Sequence, residues 1–307
     1  MKIFVTTAIF AIFLFAMTSV LTKFLINRIG GPFRFLTIQV GFGAIITTIT
    51  LVVSGIPIIN PALARTNIAL QFGLSILFAY FGFITLMIGF SKGNASVGGI
   101  FLSSRLIINI PLAAIFLHEI YPPLIYVFIA FGLFGALITT WEEGMNISDV
   151  LSIRANGVFW YVSTMVFWAL SNLFVTGISD ALHPIQFISY RYLIFVVVNL
   201  ILYPFVQPKF DKKELPISRS FLYFLAPYVI FTVSAQFLFV FSLQQSLTIT
   251  EGIGAAEGVV TFVIALIVAK FISNKELNEP LESRVLRVRS GGVILSLLSI
   301  VVLTIIT

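Results

Sequence analysis

Ten apolar stretches, each close to twenty residues long, alternate with short polar connections along the chain. They lie at about 3–26, 33–55, 67–90, 95–117, 121–140, 156–178, 184–206, 220–242, 247–272 and 290–306. Hydrocarbon offers no partner to a free backbone N–H or C=O, so runs of this length predict membrane-crossing helices that satisfy their own backbone. The first run begins with Lys2, as a leader peptide would. It continues past the roughly 7–15 apolar residues of a leader, with no small-x-small cleavage site before Lys23, and is read as a span. The longer connections, at about 141–155, 207–219 and 273–289, are too small for a soluble domain. Function therefore belongs inside the helix bundle.

The halves of the chain correspond. An offset of 152 places Phe15 on Phe167, Ser19 on Ser171, Pro32 on Pro184, Gln39 on Arg191 and Arg105 on Glu257, and it slips to 157 at Glu119 and Glu276. Five spans per half is an odd number, so the second half enters the membrane from the opposite side. The expectation is an all-α membrane protein of ten transmembrane helices in two inverted five-helix repeats, residues 1–145 and 150–307. That arrangement suits alternating access around a site at the repeat interface.

Composition sharpens the picture by exclusion. Of 307 residues 59% are hydrophobic and 10% charged, too few charges to cover a soluble globule. The absence of cysteine and the presence of two histidines speak against disulfides, thiolate nucleophiles and metal sites, and no cofactor is expected. A pI near 9.6 would suggest nucleic acid in a soluble protein. In a membrane chain it marks the cytoplasmic loops instead, so no nucleic-acid partner is expected. Lys and Arg crowd the connections after the odd-numbered spans, from Arg28 to Arg289, against Lys2 and Arg65 on the other side. No Walker loop, dinucleotide fingerprint or Ser-His-Asp set occurs, and Glu142, Glu143 and Asp149 lack the spacing of a calcium loop. An enzyme is not expected.

Ionisable side chains at bilayer depth are costly unless paired or hydrated, which makes each a candidate for function. Arg105 lies ~15 Å into the fourth span, with Asn109 one turn on and Ser103 and Ser104 just before it. Glu257 is comparably deep in the ninth span, on a stripe of Thr250, Gly254, Glu257, Gly258 and Thr261. It could exchange protons, or meet Arg105 across the pseudo-dyad as a structural ion pair. Arg191, seven residues after Pro184 and between Tyr190 and Tyr192, has the fork geometry for a carboxylate or phosphate, or anchors its helix end. Trp168, Ser171 and Asn172 share one face of the sixth span. Lys23 reaches for the headgroups. Gln39, at the place of Arg191 in the first half, completes the candidate binding set of Arg105, Glu257, Arg191, Asn109, Trp168, Asn172 and Gln39, with Glu257 as the proton-coupling group. Glu119 and Glu276 close helices at an interface and are read as structural.

Pro32 with Gln39, Pro184 with Arg191, His118-Glu119 followed by Gly132, and Asn274-Lys275-Glu276 followed by Gly291-Gly292 together resemble the drug/metabolite transporter superfamily, in its EamA-like ten-span branch. Gln39 departs from that family's usual arginine, and Arg105 sits where its fourth helix is usually neutral. The resemblance implies a secondary transporter or exporter of small metabolites. It also implies termini inside the cytoplasm, opposite to the distribution of Lys and Arg. The expected protein is a monomeric or homodimeric multi-pass carrier in the cytoplasmic (inner) membrane, moving a small polar or amphipathic, amino-acid-like metabolite. The alternatives are a proton-coupled multidrug or cationic-metabolite exporter and a lipid-carrier flippase.

Overall fold

The computed structural model describes residues 2–92, 102, 104–138, 157–211, 219–271 and 283–306. Every regular element among them is helical: α1 (Lys2–Ile29), α2 (Pro32–Val53), a short 3-10 turn (Pro61–Ala64), α3 (Thr66–Lys92), α4 (Leu106–Phe116), α5 (Pro123–Ile138), α6 (Val158–Gly177), α7 (Pro184–Phe210), α8 (Arg219–Leu243), α9 (Leu247–Gly254), α10 (Glu257–Phe271) and α11 (Ser283–Ile306). Eight spans are long and apolar enough to cross a membrane, with α9 and α10 counted together as Leu247–Val268; α4 and α5 are apolar but shorter.

The helix starts follow from local chemistry. Pro32 and Pro184 open α2 and α7, where a missing N–H costs nothing and the fixed φ suits a helix. His183 and Gln186 close a reciprocal cap on α7, and the Ser246 hydroxyl accepts from the Ile249 N–H at 3.2 Å to cap α9.

Two of the expected spans are interrupted. A turn at Arg105 separates α4 from helical Leu102 and Ser104, and a turn at Ala255 and Ala256 separates α9 from α10. Broken helices survive at bilayer depth only inside protein, where freed backbone groups find partners. Every residue of α9 is buried, as that requires. The stripe expected from Thr250 to Thr261 is therefore interrupted at Ala255 and Ala256. A second correction concerns the last span, which starts at Ser283 rather than near 290. Arg289 thereby moves from a connection into the helix, fully buried, its guanidinium 5.1 Å from the Phe262 ring centroid.

The most extensive packing is of α3 on α6, α1 on α8, α5 on α11 and α2 on α7, followed by α1 on α10 and α4 on α9. Bare glycine backbone admits two of the aromatic side chains between helices. A Cβ on Gly82 of α3 would stand 2.1 Å from the Trp168 ring of α6, and one on Gly43 of α2 would stand 2.3 Å from the Tyr192 ring of α7.

The two ends of the bundle differ. At one end the connections 54–65, 178–183 and 244–246 surround a cavity of about 630 Å³. Asn60 Nδ2 ties these connections together through the Ala181 carbonyl at 3.0 Å and Gln186 Oε1 at 2.9 Å. At the other end Asp211, just past α7, accepts from the Phe33 and Arg34 N–H groups of α2, both at 3.0 Å. It closes the N-terminus of α2 much as an N-cap carboxylate would.

Candidate functional site

A second cavity, of about 50 Å³, lies at the centre of the bundle. Phe15, Phe83, Trp168 and Phe239 give it aromatic walls, and its polar groups are Arg105, Ser171, Asn172, Arg191, Gln236 and Glu257. This volume holds a few water molecules, against the roughly 300–1,000 Å³ of typical ligand pockets. A metabolite enters only if the helices move apart. Leu243 lines the central cavity while its neighbour Gln244 lines the outer one, so a single layer of α8 separates the two.

One end of the site is a carboxylate cluster built at the two helix breaks. Arg105 Nε donates to Glu251 Oε2 at 2.6 Å, and Arg105 Nη1 stands 3.5 Å from Glu257 Oε2. Asn172 Nδ2 donates to the other oxygen of Glu251 at 2.5 Å. All three charged side chains are at most 4% exposed. The backbone cooperates, because Glu257 opens α10, where the helix dipole favours an anion. A Cβ on Gly254 would come within 3.2 Å of Arg105 Nη2, so glycine at the end of α9 lets the guanidinium approach. Aromatic faces complete its surroundings, with Phe239 at 5.3 Å and Trp168 at 5.8 Å from the guanidinium carbon.

The sequence reading brought Arg105 and Glu257 together but missed Glu251. Six residues are about one and two-thirds turns of α-helix, which puts positions 251 and 257 on different faces of a continuous span. The turn at Ala255 and Ala256 falls between the two, and both carboxylates meet one guanidinium. The signal available was the glycine pair Gly252 and Gly254 beside an intramembrane acid, a pattern that permits a break.

The other end is cationic. Arg191 is 7% exposed; Nη2 donates to Gln236 Oε1, and the Phe187 ring centroid lies 5.3 Å from its guanidinium carbon. No carboxylate among the described residues lies within ion-pair distance of it. Arg191 Nε, Gln236 Nε2 and Gln39 Oε1 are buried without a hydrogen bond, and the Tyr192 hydroxyl stands near Gln39 and Gln236 without an aligned one. Buried polar groups are nearly always paired, so four such atoms at one place mark a set of donors and acceptors with capacity to spare. Tyr190, expected beside Arg191, turns away and donates to the Ile58 carbonyl.

Of the seven predicted binding residues, Arg105, Glu257, Arg191, Trp168 and Asn172 line one cavity. Gln39 lies one layer behind it, beside Tyr192. Asn109 is fully buried with neither side-chain atom hydrogen-bonded, and it does not line the cavity. Glu119 is structural as expected. Its carboxylate accepts from the Ser246 hydroxyl and the Leu247 N–H, both at 2.9 Å, and from the Thr248 N–H at 3.0 Å, capping α9. His118, at φ 57°, makes the left-handed turn that ends α4 and delivers Glu119. Glu276, Ser103, Glu142, Glu143 and Asp149, with the side chain of Lys23, lie outside the described residues.

Residues 2–141 match the model of the EamA-like transporter family. That stretch is an EamA-like unit, as the motifs implied, in keeping with the drug/metabolite transporter superfamily. Members of that family are membrane transporters rather than enzymes, and the eight long apolar spans found here suit a multi-pass protein of a lipid bilayer. No curated protein sequence matches it. One solved structure, a crystal structure of a protein, is similar over 95% of this chain and 96% of its own, with a TM-score of 0.68 at 14% identity, and shares the fold.

Proposed function

We propose that the protein is a secondary carrier that moves a small zwitterionic, amino-acid-like metabolite across the cytoplasmic membrane by alternating access. In this reading ten spans form two inverted five-helix repeats. The pairing of helices supports it: exchanging the helices of residues 2–138 with those of 157–306 in order turns α1 on α8 into α6 on α3, and leaves α2 on α7 and α5 on α11 unchanged. The breaks at Arg105 and just before Glu257 correspond under the same exchange.

The observation that carries the substrate class is the separation of charge across the cavity. Arg191 has no acidic partner among the described residues, while at the other end two carboxylates share one guanidinium. A zwitterion answers both, with its carboxylate on the Arg191 fork and its ammonium at Glu257, and its side chain against the aromatic walls. The outer cavity of about 630 Å³ then serves as a vestibule, and opening the layer at Leu243 joins it to the centre.

Uptake of a labelled amino-acid panel into proteoliposomes tests this, with the native chain and Arg191→Met. Saturable uptake that falls at least about 100-fold in the variant is expected, from the loss of a charge-assisted bidentate contact. Undiminished uptake removes Arg191 from the site, and no amino-acid transport at all sinks the zwitterion reading. One observation favours a second reading, exchange of a proton for a cationic cargo at Glu257: the excess of carboxylate at that end. Transport of an organic amine that lacks a carboxylate, undiminished in Arg191→Met, separates the two.

A further inference from the structure

The two carboxylates that share Arg105 are not held alike. Glu251 is fixed at both oxygens, one by Arg105 Nε at 2.6 Å and the other by Asn172 Nδ2 at 2.5 Å. Glu257 has a single looser contact, at 3.5 Å, and faces the cavity. We propose that Glu251 is the dedicated counter-ion of Arg105, and that by occupying the guanidinium it leaves Glu257 an exchangeable carboxyl, which holds a proton until the ammonium of the cargo replaces it. The proposal rests on the reading of the site as one that binds an ammonium group.

Charge balance carries the argument. One guanidinium and two carboxylates make a net negative charge inside protein and lipid, and such a charge is costly without a counter-ion or a proton. Among the described side chains no other cation makes an ion pair with either acid. Arg191 lines the same cavity but makes no ion pair with either acid. Helix α10 also packs on α1, α5 and α11. Helix α1 approaches the break through Ile12, which is close to Gly254; Lys23 comes beyond Val20, which clusters with Ala265. Helix α5 carries Tyr126 and no charge. Helix α11 offers Arg289, which stacks on Phe262, with Arg284 and Arg287 nearer its start. A proton on Glu257 therefore neutralises the cluster. When an ammonium binds, that proton leaves to water and the carboxylate takes the new cation, so charge balances at each stage. Without Glu251, Arg105 would turn to Glu257 and hold it ionised. A residue that carries no exchangeable proton would then decide whether its neighbour can.

Infrared difference spectroscopy of the purified full chain, titrated with pH and without cargo, reads the protonated-carboxyl C=O stretch directly. The native protein is expected to show one buried carboxyl that titrates, and Glu257→Gln to lose it. Glu251→Gln is expected to lose it as well, although Glu257 is intact. Glu251→Asp keeps the charge but lengthens the pair, and should retain the band with its midpoint displaced to lower pH by about one unit. That variant decides the matter if Glu251→Gln fails to fold. A native protein without the band, a band that survives in Glu251→Gln, or an unmoved midpoint in Glu251→Asp would overturn the proposal. Adding the amino-acid panel then tests the cargo separately. A band that behaves as expected but is indifferent to every amino acid sustains the role of Glu251 and rejects the zwitterion.

Discussion

The two ends of the central cavity solve the same problem in opposite ways. Around Arg105 the charged groups are paired with one another: Glu251 is bonded at both oxygens, and the break before Glu257 puts a helix N-terminus and a glycine beside the cluster. Around Arg191 the groups are just as deeply buried, yet Arg191 Nε, Gln236 Nε2 and Gln39 Oε1 are left without bonds. A saturated network specifies a structure, whereas an unsaturated one in a closed pocket carries a standing cost. Selection tolerates such a cost where a ligand offsets it. The contrast separates a charge-paired end at the helix breaks from an unsaturated end at Arg191, with Glu257 the carboxylate of the first that faces the cavity.

Stability measurements can break that contrast most directly. Arg105→Ala leaves two buried carboxylates without their guanidinium, and removal of one partner from a buried ion pair costs about 3–5 kcal/mol. Arg191→Met removes a buried charge that had no ionic partner, and should leave stability within about 1 kcal/mol of native, or higher. Reversible unfolding in mixed micelles compares them. If Arg191→Met is as damaging as Arg105→Ala, Arg191 is structural and the two ends are alike.

The sequence already showed much of this. Apolar runs locate the helices because a membrane span must be long, apolar and self-satisfied, and the same logic singled out Arg105, Arg191 and Glu257. Periodicity could not show where a helix breaks. Two features of the site lay beyond it: Asn109, although one regular turn from Arg105, does not line the cavity, and Glu251, off the face of Glu257, belongs to the cluster. Arg289 was misplaced because arginines near a span's edge read as connection, although the polar residues from Ser283 to Ser290 form about the first two turns of α11.

Glu119 offers an intermediate case that sharpens the comparison. It is as fully bonded as Glu251, to two N–H groups and a hydroxyl at the start of α9, but it lines neither cavity. Bonding of that kind without access to cargo should matter for stability alone. Glu119→Ala removes a helix cap and its favourable charge, a loss of about 1–2 kcal/mol. The pH titration of the buried carboxyl should keep its midpoint in that variant. A displaced midpoint would show that the start of α9 is coupled to the position of Glu251, eliminating the separation of cap from switch.

The smallest effect is expected one residue pair further out, where Tyr121 Oη lies 2.9 Å from the Ser246 Oγ that caps α9. Tyr121→Phe deletes one neutral hydrogen bond, about 0.5–1.5 kcal/mol, and leaves both Glu119 and the cluster in place. It carries a pH signature of its own. Burial, and then the nearby Glu119 charge, push the Tyr121 phenol above its ordinary range, outweighing the opposing hydrogen bond to Ser246. The folded chain therefore keeps this proton at a pH where the unfolded chain gives it up. Its contribution is complete below the unfolded value of about 10 and is lost as pH rises through the folded one. The stability difference between native protein and Tyr121→Phe should accordingly shrink on going from neutral to alkaline solution. A constant difference would mean that the phenol does not sense its burial, and that the cap at the start of α9 is wetter than its bonding indicates.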